Sequence, residues 1–229
     1  LDSFRFFIRK HLTKNLSSKH LFKKNSIKLT KIQNDILESI KKKGFVAIDT
    51  ETMGLNPNRD RLCVVQLSSG DGNAHIIQIE KNQTNAPNLC KLLADPLVLK
   101  LFHFGRFDIA VLLKRFDVLT SPVYCTKIAS KLVRTYTDKH GLKNLIQEVL
   151  EIDISKQQQS SNWSAANLSL AQIEYAASDV LHLHSIMQTL NDRIEVEGRT
   201  EIVKSCFAFL PNRAQLDIMG WPDLDIFAH

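Results

Sequence analysis

Several protein classes are missing their signals from this chain. The four cysteines (Cys63, Cys90, Cys125, Cys206) lie far apart and no two form a CxxC pair. That spacing excludes a disulfide framework and reads as reduced, mostly buried thiols of a cytosolic protein. His182 and His184 have no Cys or His partner at zinc spacing, so they read as packing or surface residues. No stretch approaches the ~20 consecutive apolar residues of a membrane span, and no internal repeat recurs. Acids are scarce in one place only. Residues 1–28 hold eight Lys/Arg against the single acid Asp2, a local charge of +7, whereas the remainder carries 22 basic and 23 acidic side chains. Basicity is therefore confined to a tail, and the near-neutral body does not fit an enzyme that grips long nucleic acid across a broad basic surface.

At 229 residues the chain can bury a full core as one domain. Residues 1–26 are read as a disordered basic extension and 27–229 as the folded unit. The extension's basic, Ser/Asn-containing composition with Phe4, Phe6, Phe7 and Ile8 also fits a mitochondrial transit peptide. The expected localisation is thus cytoplasmic, or mitochondrial if that segment is a leader.

Apolar periodicity predicts a helix from Thr30, with Ile32, Ile36, Leu37 and Ile40 on one face. Strands are expected at Phe45–Thr50, Leu62–Ser68, Ala74–Ile79, Val98–Phe102 and Val123–Cys125, with Gly70-Asp71-Gly72 turning a hairpin. Helices are expected at Pro87–Leu93, Arg106–Arg115, Lys127–Arg134, Leu142–Leu150, Leu170–Glu195 and Arg199–Phe209. Ser169 and Gln172 form a capping box for the longest of them. A hairpin-led sheet followed by strand–helix alternation predicts a mixed α/β layer fold with five strands flanked by helices.

Against this apolar background four acids and a tyrosine stand out: Asp49 and Glu51 in FVAIDTETMGL, Asp108 in HFGRFDIAVL, and Tyr175 with Asp179 in IEYAASDVLHL. A carboxylate beside an apolar run is costly unless something compensates it. Asp49 and Glu51 are two apart on a strand and face the same way. Tyr175 and Asp179 are four apart on a helix and share a face. Oxygen ligands from distant segments suit Mg²⁺ or Mn²⁺ rather than zinc. Read singly, Asp108 also fits a helix-start acid, Tyr175 a half-buried aromatic and Asp179 a surface acid.

DxE, then an Asp in an HxGxFD context, then YxxxD, in that order, resembles the DEDDy 3′–5′ exonucleases. Within them the chain resembles the RNase D group. The tracts DTETMGLNPNRDRLCVVQLSSGDG, KLFHFGRFDIAVL, CTKIASKLVRTYTDKHGLK, ISKQQQSSNWS and QIEYAASDVLHLH are most similar to the short bacterial nano-RNase C proteins. The resemblance runs from about Ile27 to His229. It implies an RNase H-like (DnaQ-like exonuclease) fold and two divalent ions, Mg²⁺ or Mn²⁺, per site. Asp49, Glu51 and Asp179 would hold the ion that activates water. Asp49 would bridge to the second, Asp108 would bind that one mainly through waters, and Tyr175 would orient the nucleophilic water.

The same resemblance places the backbone of Thr52, Met53 and Gly54 at the terminal nucleotide and makes Leu55 a base contact. His103 and Phe104 are further substrate candidates; Phe104 can stack a base or fill the core. Lys127, Lys131 and Arg134 share a helical face that reads as a solvated stripe or a phosphate or subunit contact. Asn162 replaces the acid usual in the family's SDW segment, so that acid's role does not carry over. Only about thirty residues follow the long helix, too few for the helical RNA-binding domains of large RNase D proteins. The implied function is a 3′–5′ exoribonuclease of short RNA oligonucleotides, dinucleotides included, acting as a homo-oligomer. The alternatives are a general RNase D-like trimming or DNA-proofreading exonuclease, and a non-catalytic nucleic-acid-binding protein using the basic tail.

Overall fold

The computed structural model describes residues 27–29, 34–155 and 157–228. The expected basic extension and the expected helix start at Thr30 lie outside them. In chain order the elements are β1 (Ile27–Leu29), α1 (Asn34–Lys43), β2 (Phe45–Thr52), β3 (Leu62–Ser68), β4 (Ala74–Gln78), α2 (Pro87–Ala94), β5 (Leu99–Phe102), α3 (Gly105–Phe116), β6 (Val123–Cys125) and α4 (Thr126–Val133). Four helices follow: α5 (Leu142–Leu150), α6 (Leu170–Leu181), α7 (Leu183–Val196) and α8 (Thr200–Met219).

The strands form one mixed sheet in the order β1-β4-β3-β2-β5-β6. The β2–β3–β4 meander is antiparallel, while β5 and β6 add in parallel beside β2. All five expected strands are present. β1 adds a sixth, parallel to β4 with Ile27 beside Ala74; three residues are too short to show a period in the sequence. Every residue of β3 is buried. The helices cover the sheet and each other: α6 lies on β2, β3 and β4, α7 packs on α4 and α5, and α3 packs on α8.

Two helices differ from expectation. The single helix expected over Leu170–Glu195 is two, interrupted at His182. A straight helix of that length would run about 39 Å, and its two halves have different partners, the sheet for α6 and other helices for α7. α8, expected to stop at Phe209 before the helix-breaking Pro211, runs through it to Met219. Its buried residues Val203, Phe207, Leu210, Pro211, Ala214 and Asp217 recur at helical spacing, so packing outweighs the lost hydrogen bond.

Lys127, Lys131 and Arg134 do not form one solvated stripe. Arg134 is buried, bonded to Glu148, to Ser130 Oγ at 2.8 Å and to the Lys139 carbonyl at 3.0 Å. The histidine expectation holds for His184, which packs against the Phe45 ring at 5.0 Å between centroids.

Candidate active site

β2 is an interior strand, with β3 on one side and β5 on the other, and it delivers Asp49 and Glu51 to the same face. Directly across from Asp49 in β3 stands Gln66. Its Nε2 donates to Asp49 Oδ2 at 3.1 Å and to Glu51 Oε1 at 3.4 Å. α6 crosses that face and brings Asp179. One carboxylate oxygen each from Asp49, Glu51 and Asp179 lie within 4.8 Å of one another, close enough that the three could hold a metal ion.

Asp108 reaches the site from the opposite side. It lies in the first turn of α3, buried, and accepts a 2.7 Å hydrogen bond from Thr50 Oγ1. Thr50 projects from β2 on the face opposite Asp49 and Glu51. Asp108 is therefore held beside the three-carboxylate group rather than within it.

α6 starts where its capping box says it should. Ser169 Oγ accepts from the Gln172 amide at 3.3 Å, and Gln172 Oε1 accepts from the Ser169 amide at 2.9 Å. Gln172 Nε2 also donates to Ser161 Oγ and to the Asn162 carbonyl, both at 3.1 Å. These bonds fasten the 161–163 loop to the helix start, where the buried Trp163 ring lies 6.0 Å from that of Tyr175. Asn162 acts locally: its Oδ1 accepts from the Ser164 amide at 3.1 Å and hydroxyl at 2.7 Å.

The electrostatics of this cluster are unfavourable to the bare protein. Burial, then the negative charges of Asp108, Asp179 and Glu51, push Asp49 well above the usual carboxylate range. Glu51 is pushed up to about 9 by burial, then by Asp179 and Asp108, against the opposing Gln66 bond. Burial raises Asp108 to about 7, although the Thr50 hydroxyl favours its charged form. Tyr175 is pushed up by burial and then by Asp179, Glu51 and Asp49, and it hydrogen-bonds Asp179. Among the described residues no lysine or arginine lies within ion-pair distance of Asp49, Glu51 or Asp108.

The segment after Glu51 makes a tight loop. Thr52 Oγ1 donates to the Gly54 carbonyl, and the Met53 amide donates to the Arg61 carbonyl at 3.1 Å. That amide is accordingly engaged within the loop. A Cβ on Gly54 would lie 2.3 Å from Asp60 Oδ2, so a side chain there would have to displace the Asp60 carboxylate. Met53 is 50% and Leu55 86% exposed, so neither serves the core. Phe104 is 46% exposed at φ 67°, with Lys127 Nζ 4.2 Å from its ring centroid. His103 Nδ1 lies 2.9 Å from Thr126 Oγ1, which itself donates to the Phe102 carbonyl at 3.1 Å. Since the hydroxyl has one proton, His103 Nδ1 is the donor there.

Sequence reasoning missed Gln66 and Thr50. Gln66 had a signal, a polar residue inside the apolar run LCVVQLS; Thr50 had none.

A mixed sheet with acids converging at an interior strand is the RNase H-like, DnaQ-like exonuclease fold. The family model described as 3′-5′ exonuclease matches residues 25–195, and the chain belongs to that family. Ribonuclease D of Granulibacter bethesdensis is 39% identical over 176 residues, 77% of this chain and 44% of the relative; the chain thus spans less than half the length of this curated relative. The structure of Brucella melitensis NrnC bound to pGG is 61% identical, with a TM-score of 0.80 over 81% of this chain and 90% of that one. The same protein with bound Mg²⁺ gives 60% and 0.79 over the same shares. Escherichia coli RNase D is 25% identical with a TM-score of 0.72, over 82% of this chain and 50% of that one.

Proposed function

We propose that this chain hydrolyses short RNA oligonucleotides, dinucleotides included, from their 3′ ends, releasing 5′-mononucleotides. The observation that carries this reading is the convergence of Asp49, Glu51 and Asp179 oxygens within 4.8 Å. Family membership and the likeness to NrnC bound to pGG and to Mg²⁺ support it.

The donor set fits hard divalent cations. All its ligand atoms are carboxylate oxygens, and the raised pKa values of Asp49, Glu51 and Asp108 mark charges that an added cation would stabilise. Asp49, Glu51 and Asp179 would hold one ion, and Asp49 with Asp108 the second. When bound, two Mg²⁺ or Mn²⁺ ions supply an activated water and neutralise charge on the scissile phosphate.

The chain's own groups prepare this. Gln66 fixes the rotamers of Asp49 and Glu51, and Thr50 aims Asp108. Tyr175, its pKa raised, stays protonated and serves as a hydrogen-bonding group that positions the water rather than as a base. Leu55, exposed in the loop after Glu51, and Phe104, exposed just before the helix that carries Asp108, contact bases, while Thr52 and Gly54 shape the turn beneath the terminal nucleotide. The phosphodiester is cut by attack of water at phosphorus with departure of the 3′-oxygen.

We assign this activity to residues 27–229, with 1–26 contributing charge only. Removal of 1–26 should then leave dinucleotide cleavage within about twofold while weakening long-RNA binding and its salt dependence. We place the protein in the cytoplasm, in keeping with its free thiols, as a homo-oligomer joined through exposed Trp221, Leu224, Ile226 and Phe227. Light scattering tests the assembly.

A time course on 5′-labelled RNAs of two to twenty nucleotides, with Mg²⁺ and with Mn²⁺, tests the activity. Dinucleotides should be cleaved at least ~10-fold more efficiently than a twenty-mer, about 1.4 kcal/mol of transition-state stabilisation. Equal efficiency on the twenty-mer would favour general trimming, the reading consistent with the Ribonuclease D relatives. No cleavage of any length with either metal would sink both.

A further inference from the structure

The helix carrying Asp108 begins on a turn that needs external support. Phe104 sits at φ 67°, a left-handed conformation that is uncommon away from glycine. Gly105 has no room for a side chain, since a Cβ there would lie 2.8 Å from Phe102 Cβ. Arg106 then places a cation in the first turn of α3, where the helix dipole disfavours it.

Its partner explains it. Asp217, 7% exposed near the end of α8, accepts Arg106 Nε at Oδ2 and Nη2 at Oδ1, both at 2.7 Å, a two-pronged charge-assisted pair. Oδ1 also accepts Arg213 Nη1 at 2.7 Å. The two guanidiniums hold the chain beyond the helix, Arg106 through the Pro222 carbonyl and Arg213 through the Trp221 and Pro222 carbonyls at 3.1 Å. One residue after Asp217, the Ile218 carbonyl accepts Asn58 Nδ2 at 3.2 Å. Asn58 belongs to the loop that joins β2 to β3 and carries Leu55. The end of α8 therefore grips both segments that flank the carboxylates.

We propose that Asp217 is a positioning residue of this site: through Arg106 it sets the first turn of α3 and hence Asp108, and through the adjoining Ile218 carbonyl it steadies the loop after Glu51. The proposal rests on the reading of Asp108 as a metal ligand.

The full chain and its Asp217→Asn variant would be compared in two measurements. The first is backbone hydrogen exchange without metal; the second is Mn²⁺ binding by electron paramagnetic resonance. Glu148→Gln serves as a control that loosens an ion pair elsewhere. In Asp217→Asn, exchange over residues 56–61 and 105–109 should quicken about tenfold, beyond any change in the control. The weaker Mn²⁺ site should lose about tenfold in affinity, and the stronger should stay within about twofold. Arg106→Lys, which keeps the charge but loses the paired donors, should act in the same direction and stands in if Asp217→Asn fails to fold.

Exchange in the two segments no faster than in the control, or equal weakening of both Mn²⁺ sites, would overturn the proposal. A wild-type protein that binds no Mn²⁺ would instead overturn the exonuclease reading, and the exchange data alone would then decide whether the clamp exists.

Discussion

Glu51 and Glu148 are the same residue type in opposite settings. Glu148 meets the buried Arg134 through both carboxylate oxygens, with Tyr136 and Arg193 beside it, and Arg134 holds its pKa down at about 2. Glu51 stands among other carboxylates with no cation at ion-pair distance among the described residues, and its pKa rises to about 9. The first arrangement closes its own charge balance and holds α4's end to α5. The second leaves charge for something else to neutralise, and the fold bears that cost. A site built against its own stability is the expected signature of ligand binding.

The comparison breaks most visibly if the unbalanced carboxylates prove dispensable. Asp49→Asn, Glu51→Gln, Asp108→Asn and Asp179→Asn should each lower turnover at least ~10³-fold, because ligands for the cations are lost. In EDTA, Asp49→Asn and Glu51→Gln should melt no lower than wild type, since each removes repulsion rather than support. A variant with near-wild-type turnover removes its residue from the assignment, and one that melts markedly lower in EDTA makes its carboxylate structural.

Tyr175→Phe should cost about 10²-fold in turnover, because the ring still packs on Trp163 while the hydroxyl is gone. Unchanged turnover would reduce Tyr175 to packing.

Glu148→Gln sharpens the other side. It leaves the Arg134 guanidinium buried against a neutral partner. Because Glu148 is over a third exposed and solvent-screened, the loss should be about 1–2 kcal/mol, between the costs of breaking an exposed and a buried pair. Turnover per folded molecule should stay within about twofold in a chemical-denaturation and activity pairing. A large loss of turnover at full stability would tie Glu148 to the site.

The smallest effect is a matter of sign. Glu51 titrates at about 9 in the fold against 4.5 in the unfolded chain, and Asp108 at about 7 against 3.8. The native state thus holds more protons than the unfolded one, and metal-free stability should fall as pH rises from about 4 towards 9. Glu148, held at about 2, does the reverse: its contribution is complete above 4.5 and is lost as pH falls towards 2. Melting scans in EDTA should show the high-pH decline, and Mg²⁺ should flatten it. A metal-free protein whose stability rises steadily through that window contradicts the account.

Much of the fold was legible because its signals are local. The five strands follow from apolar runs bounded by turns, and the start of α6 follows from Ser169 and Gln172, three residues apart. The failures were non-local. Nothing near His182 announces that the helix must bend from the sheet to the other helices, and Pro211 argues against a helix that packing sustains. Arg134 looks like a surface cation until Glu148, fourteen residues on, is brought to it.

The site divides in the same way. That Asp49 and Glu51 share a face, and Tyr175 and Asp179 another, is written locally, because strand and helix periods are properties of the local backbone. Long-range packing alone joins Asp179 to the first pair within 4.8 Å, ties Asp108 to Thr50 beside them, and sets Gln66 against the pair across the ladder. It also brought Arg106 to Asp217, 111 residues away. Those distances depend on how sheet and helices pack, and no short-range pattern encodes the meeting of side chains so far apart along the chain.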